Sequence, residues 1–332
     1  MRILIVKPSS FGDILHLFPT LTLVHERYPD AEADFVVNPE FVPLLDFSPL
    51  PIRRRIVFER RKLGSWRGFF PELRKLIREL RRERYDFAVD FQGLFRSGFV
   101  TGIARARVKA GFAEPREKSA KLFYDRAIAV APGHAVERCG ELARRLWNLP
   151  GELHYGELPD STAATELPDD LPERFAVLLP GARWESKRFP PEFFRRLSEA
   201  LGAKMPGLRF VAAGTAGERE IAEAIGGGVV NFAGKTSVGA LMELLRRAEF
   251  VVGNDSGPLH AAAALGRPVF GLYGSTDPKL TGPWGAKVHT FSAHVECGGC
   301  LKRICPDGSY RCRDLDADAV AAAVAEKLEE WR

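Results

Sequence analysis

Apolar positions in this chain fall into short, β-branched runs, separated by stretches in which they recur every three to four residues. The first pattern is that of a strand buried on both faces and the second that of an amphipathic helix. Their alternation predicts parallel sheets covered on both faces by helices, an α/β fold. In the first half the predicted strands are Arg2–Lys7, Ala33–Val37, Arg55–Phe58, Asp86–Phe91 and Val108–Gly111, with helical stretches at Asp13–Tyr28, Phe70–Glu83 and His134–Trp147. A second series of strands runs Phe175–Leu179, Leu208–Ala213, Phe250–Val252, Val269–Tyr273 and Val288–Phe291, and the Ala-, Glu- and Lys-rich stretch Asp316–Trp331 predicts a closing helix.

Between the two series the pattern stops. The segment from Pro150 to Glu173 carries seven acidic residues, several prolines and neither Lys nor Arg, which reads as a linker. The predicted organisation is a domain at 1–150, a linker at 151–173 and a domain at 174–332. A length of 332 residues agrees with two domains of about 150 each. Two doubly wound domains in tandem are expected to face each other across a cleft, with ligands at the carboxyl ends of the strands.

Composition narrows the class. With 45% hydrophobic and 27% charged residues the chain can bury full cores, which excludes a disordered protein. No stretch approaches the roughly 20 apolar residues of a membrane span, and the N-terminal run carries no signal-peptide pattern, so the expected location is the cytoplasm. Five cysteines in such a compartment are expected to be reduced rather than to form a disulfide framework. The net charge of +5 is uneven: Arg53–Arg84 holds 13 Arg and Lys against 4 Glu, with Trp66, Phe69 and Phe70 interleaved. That segment can lie on the anionic lipids of a membrane, as a peripheral contact, or hold an acidic, phosphorylated acceptor; the plain alternative is a solvated helix face. No nucleic-acid motif accompanies the charge, so nucleic acid is not an expected partner.

Three strand-to-helix turns carry candidate chemistry. The first, Lys7-Pro-Ser-Ser-Phe-Gly-Asp13-Ile-Leu-His16, has small residues for close approach of a ligand and a carboxylate at the helix start, where Asp13 could also be a simple cap. It lacks the G-x-G-x-x-G of dinucleotide-binding domains. The second, Pro180-Gly-Ala-Arg-Trp-Glu-Ser-Lys187-Arg188, sets two adjacent cations in a Gly-containing loop before a helix, a combination that can neutralise a diphosphate. The third, Gly253-Asn-Asp255-Ser256-Gly257-Pro-Leu-His260, opens an Ala-rich helix whose free N–H groups suit a phosphate. Ala233-Gly-Lys-Thr236 looks like the end of a P-loop, but Val229 stands where the first Gly is required, so ATP hydrolysis is not indicated.

Taken in order, Lys7–His16, Asp90-Phe-Gln-Gly-Leu-Phe-Arg-Ser97, His134-Ala-Val-Glu-Arg138 and Asn254–His260 resemble the ADP-heptose:lipopolysaccharide heptosyltransferases, a likeness that extends past Tyr273-Gly-Ser-Thr-Asp277. The resemblance implies a GT-B architecture of two Rossmann-like domains, an N-terminal one for the acceptor and a C-terminal one for ADP-heptose. It implies inverting transfer without a metal or other cofactor, to Kdo on lipid A or a nearby inner-core sugar, at the cytoplasmic face of the inner membrane. By the same match Asp13 is the general base and Lys187 binds the donor diphosphate. Ser186, Asp255, Ser256, Gly257 and His260 join it around the ADP, Glu218 is similar to a glutamate that holds the adenosine ribose, and Ser10, Gly12, Arg96 and Arg116 match acceptor-side positions. An inverting transfer needs one carboxylate to take the hydroxyl proton and fixed positive charge for the departing ADP, which Asp13 and Lys187 would supply from different domains, making closure part of the mechanism.

The tail departs from this pattern. Cys297-x2-Cys300-x4-Cys305-x6-Cys312 has the spacing of a structural zinc knuckle, with reduced cysteines packing a loop as the alternative, and it is not placed in the active site. Similar tails occur in the second-heptose branch of the family, while Asp90–Ser97 and His134–Arg138 look like the first-heptose branch. Competing readings are another GT-B transferase, a sugar-nucleotide epimerase, or a non-catalytic nucleotide-sugar binding protein.

Overall fold

The structure, a computed structural model, describes residues 1–59, 62, 69–160 and 166–332, and forms two compact units, Met1–Asp160 and Ser161–Arg332. Trp66 and part of the 151–173 segment lie outside the described residues.

The first unit runs β1 (Arg2–Val6), α1 (Phe11–Leu15), α2 (Phe18–Arg27), β2 (Glu32–Val37), β3 (Ile52–Val57), α3 (Phe69–Arg81), β4 (Tyr85–Asp90), α4 (Phe95–Ile103), β5 (Ala106–Phe112), β6 (Arg126–Ile128) and α5 (Ala135–Trp147). The second runs β7 (Phe175–Leu179), α6 (Pro191–Lys204), β8 (Arg209–Ala212), α7 (Arg219–Glu223), β9 (Val230–Asn231), α8 (Val238–Arg247), β10 (Val251–Asn254), α9 (Gly257–Ala264), β11 (Val269–Tyr273), α10 (Pro278–Thr281), β12 (Val288–Ser292) and α11 (Ala317–Glu330). Each unit holds a parallel six-stranded sheet, ordered β3-β2-β1-β4-β5-β6 in one and β12-β11-β10-β7-β8-β9 in the other. Both have the strand order of a Rossmann fold, with the reversal between β1 and β4 and between β7 and β10.

The apolar runs become central strands because both faces are covered. Leu4, Val6 and Ala88 meet Leu76, Leu80 and Val100 in the first unit, while Leu178, Val252 and Phe270 meet Phe194, Leu197, Val320 and Val324 in the second. The sequence shows five strands in each half and the structure has six. The extra strands, β6 and β9, are two- or three-residue edges without an apolar run. The single helix expected at 13–28 is two, because Pro19 has no N–H to donate to the Leu15 carbonyl and the first helix stops there. Tyr155 and Leu158, in the segment read as linker, are buried within the first unit.

The basic run is less free than its count suggests. Arg53 donates to Asp34 at 3.0 and 3.1 Å, Arg54 pairs with Asp34 and Glu79, and Arg55 with Asp46. Arg74, Arg78, Arg81 and Arg82 on and after α3 are exposed, as is Phe70 at its start. Among the described residues no helix is long and apolar enough to cross a membrane.

Candidate active site

In the first unit the turn after β1 presents Asp13. Its carboxylate turns back on the start of α1, accepting from the Ser10 N–H at 2.9 Å and the Ser10 hydroxyl at 3.1 Å. Arg116, on the loop after β5, reaches it at 3.4 Å. Burial raises the Asp13 pKa, but the charges of Lys7 and Arg116 and the Ser10 N–H outweigh it, and the group is held well below the usual carboxylate range. Lys7, which sequence reasoning gave no role, spans the strand-order reversal by donating to the Phe91 carbonyl at 2.8 Å. Its only signal was a lone cation ending an apolar strand. Gly12 is buried beside Asp13, and Arg96 is exposed at the start of α4.

The motif Asp90–Ser97 is scaffold. Asp90, fully buried, accepts from the Gln92 and Gly93 N–H groups and from the Ser97 and Tyr124 hydroxyls at 2.6 to 3.0 Å, which folds the turn after β4. Gly93 has φ +71°, and a side chain there would press within 3.2 Å of Pro115 and Arg116, so the turn also seats the Arg116 loop. His134 caps α5 through Nδ1 to the Val136 N–H, and its ring meets His16 at 5.2 Å. Next to the Arg116 loop lies a cavity of about 720 Å³ lined in part by Glu114, Lys118, Lys121 and Arg138.

In the second unit the turns after β7 and β10 converge. Lys187 Nζ lies 2.6 Å from Asp255 Oδ2 and 4.6 Å from the centre of the Trp184 ring. Asp255 is 7% exposed and accepts from Thr276 at 2.7 Å, with His260 Nε2 at 3.7 Å. Burial pushes the Asp255 pKa up, yet the hydrogen bond from His260 and the Lys187 charge leave it well below the usual range. Ser256 stands at the N-cap position of α9 without a side-chain bond to the helix and Gly257 begins it, so the helix N-terminus opens beside this ion pair. Asn254 ties the two turns, donating to the Pro180 carbonyl at 2.7 Å.

Glu218 belongs to the same place. It accepts from the Thr215 N–H at 2.7 Å, and its carboxylate rests on Gly181, where an added methyl would fall 2.1 Å from it. Ser186 differs from expectation in its use. It is buried, and its hydroxyl is spent on Ser275 at 2.9 Å and on the Lys302 carbonyl at 2.6 Å. The cysteine-bearing tail, which the sequence did not place in the active site, packs on the Lys187 loop, whose Ser186 N–H and hydroxyl donate to its carbonyls and whose Glu185 carbonyl accepts from its Arg313. Its cysteines are free, Cys297 and Cys300 exposed, Cys305 half-buried and Cys312 buried, and among the described residues no group of three or more His, Cys, Asp or Glu is placed to hold a metal.

Residues 73–311 match the model of glycosyltransferase family 9 (heptosyltransferase). The lipopolysaccharide heptosyltransferase 1 of Pseudomonas aeruginosa is 31% identical over 320 residues, covering 92% of this chain and 87% of its own. The enzyme of the same name from Escherichia coli K12 is 36% identical over 295 residues, covering 86% and 91%. Among solved structures, the E. coli heptosyltransferase WaaC with ADP superposes with a TM-score of 0.80 at 31% identity, covering 98% of this chain and all of that one.

Proposed function

The chain belongs to glycosyltransferase family 9, the heptosyltransferases, and from that premise we propose that it moves heptose from ADP-heptose to the lipopolysaccharide inner core, with Asp13 as general base. One observation carries the reading: each unit sets an ion pair at the carboxyl end of a strand flanking its order reversal, Asp13 after β1 reached by Arg116 from the loop after β5, and Lys187 with Asp255 after β7 and β10, where ligands bind in this fold. In the first unit these form a carboxylate with an attendant arginine. In the second they form a lysine, a buried aspartate and an open helix N-terminus.

The chemistry divides accordingly. Asp13 takes the proton of the acceptor hydroxyl as its oxygen forms the new bond to the anomeric carbon, and the bond to ADP breaks with inversion. Lys187 and the first turn of α9 neutralise the diphosphate that departs. Glu218, whose carboxylate lies beside Gly181, accepts from the ribose hydroxyls in this reading. The low pKa of Asp13 keeps it ionised but makes it a weak base. An acidic acceptor that draws Arg116 onto its own carboxylate removes one of the charges responsible, so the base strengthens when the acceptor is in place.

The acceptor is Kdo on lipid A, a reading supported by two relatives that are both named heptosyltransferase 1. The cations Lys118, Lys121 and Arg138 around the cavity beside Arg116 suit such an anionic molecule. The exposed arginines of α3 would meet the anionic membrane that carries it, placing the enzyme on the cytoplasmic face of the inner membrane. The test is ADP release from ADP-heptose. Release that depends on Kdo-lipid A supports the reading, and release that is absent with this acceptor and with inner-core lipopolysaccharide refutes it.

A further inference from the structure

The donor loop has no regular structure of its own beyond one short turn at Glu185–Lys187. Besides Ser275 and Asn254, much of what holds it comes from more than a hundred residues away in sequence. The Ser186 N–H donates to the Arg303 carbonyl at 3.1 Å and the Ser186 hydroxyl to the Lys302 carbonyl at 2.6 Å. Arg313 Nη1 donates to the carbonyls of Glu185, at 3.3 Å, and Arg188. The Tyr310 hydroxyl donates to the Glu185 carboxylate, and the Arg303 guanidinium lies 5.7 Å from the centre of the Trp184 ring. Both neighbours of Lys187 are thus gripped by one segment while the Lys187 ammonium points at Asp255.

The gripping segment is itself anchored to the sheet. The Gly299 and Leu301 N–H groups donate to the Gly274 and Ser275 carbonyls, just beyond β11, at 3.0 and 2.8 Å. Cys312 is buried against Gly274, its Sγ 3.0 Å from where a side chain would begin. Two non-glycine residues of the segment, Leu301 and Tyr310, sit at φ +58° and +48°, a conformation that costs about 1–2 kcal/mol for a side chain without a local polar group to offset it. They persist because contacts on either side fix them, and strain held this way gathers where a site is pre-organised.

We propose that the segment 299–313 is a brace for the donor loop and that Arg313 and Tyr310 are positioning residues, which set Lys187 for the diphosphate without touching it. The proposal rests on the reading of this loop as the ADP site. It gives the cysteine-bearing tail a task in donor binding: an unbraced loop must be ordered by the ligand itself, so affinity falls while the fold stays intact.

The experiment compares wild type with Arg313→Ala and Tyr310→Gly; glycine accepts φ +48°, so the second variant removes the Glu185 contact without adding backbone strain. Amide exchange across 184–189 is followed in the ligand-free proteins, and ADP binding by calorimetry. The brace predicts exchange about 10-fold faster in that stretch, with the rest of the second unit unchanged, and ADP bound about 10-fold more weakly at an unaltered melting temperature. Unchanged exchange overturns the proposal, and so does faster exchange with unchanged ADP affinity, which would make the tail merely structural. If wild type itself binds no ADP, the site reading fails, and the exchange result still decides whether the loop is braced.

Discussion

At the scale of single residues, charge pairs set the chemistry. Because Asp13 and Asp255 are both held below the usual carboxylate value of about 3.9, each is ionised through the neutral and mildly acid range. A depressed folded-state pKa contributes stability above the unfolded value, and that contribution is lost as pH falls through the folded one, so both begin to fail only below about pH 4. The kcat/KM for acceptor should therefore show no acid limb between about pH 5 and 8; a limb near pH 6.5 in the free enzyme would assign the base to a histidine instead. Asp13, Lys187, Asp255 and Gly257 were legible in the sequence because each follows a strand that the apolar pattern marks. Lys7 and Thr276 were not, since a lone Lys or Thr acquires meaning only when the fold brings Phe91 or Asp255 to it.

At the scale of elements, the site depends on turns that approach each other closely. Gly181 is the narrowest point: a methyl there overlaps the Glu218 carboxylate and must displace it. Gly181→Ala should weaken ADP binding about 10-fold, one lost charge-assisted contact of about 1.5 kcal/mol, with a melting temperature close to wild type. Affinity equal to wild type would remove Glu218 from the donor site. Strands with both faces buried were read from sequence almost to the residue, as Phe175–Leu179 and Val269–Tyr273 attest. The edges β6 and β9 and the break at Pro19 were missed, because edge strands lack the apolar run and a proline in the second helix's first turn blends into one long helical pattern. The packing of the tail on the Lys187 loop is a contact between distant segments, which no local pattern encodes.

At the scale of the whole molecule, the chain repeats one sheet order twice, and the proposed function assigns each copy a different half of a transfer reaction. Among the described residues its basic run is less free than the sequence count implied, since Arg53, Arg54 and Arg55 face carboxylates, while Arg74, Arg78, Arg81 and Arg82 on and after α3 are exposed. At roughly 1 kcal/mol for each cation near an anionic surface, changing Arg74, Arg78, Arg81 and Arg82 to Ser should lower binding to anionic vesicles by at least about 10-fold, and equal binding would remove the membrane contact. Asp13 is the base we propose for this family 9 enzyme. The most direct test of that role is acceptor-dependent ADP release from ADP-heptose by wild type and Asp13→Asn. Wild type is expected to turn over, and Asp13→Asn to lose at least about 100-fold of that turnover with ADP binding retained. Turnover surviving in Asp13→Asn would contradict that role and place the base elsewhere.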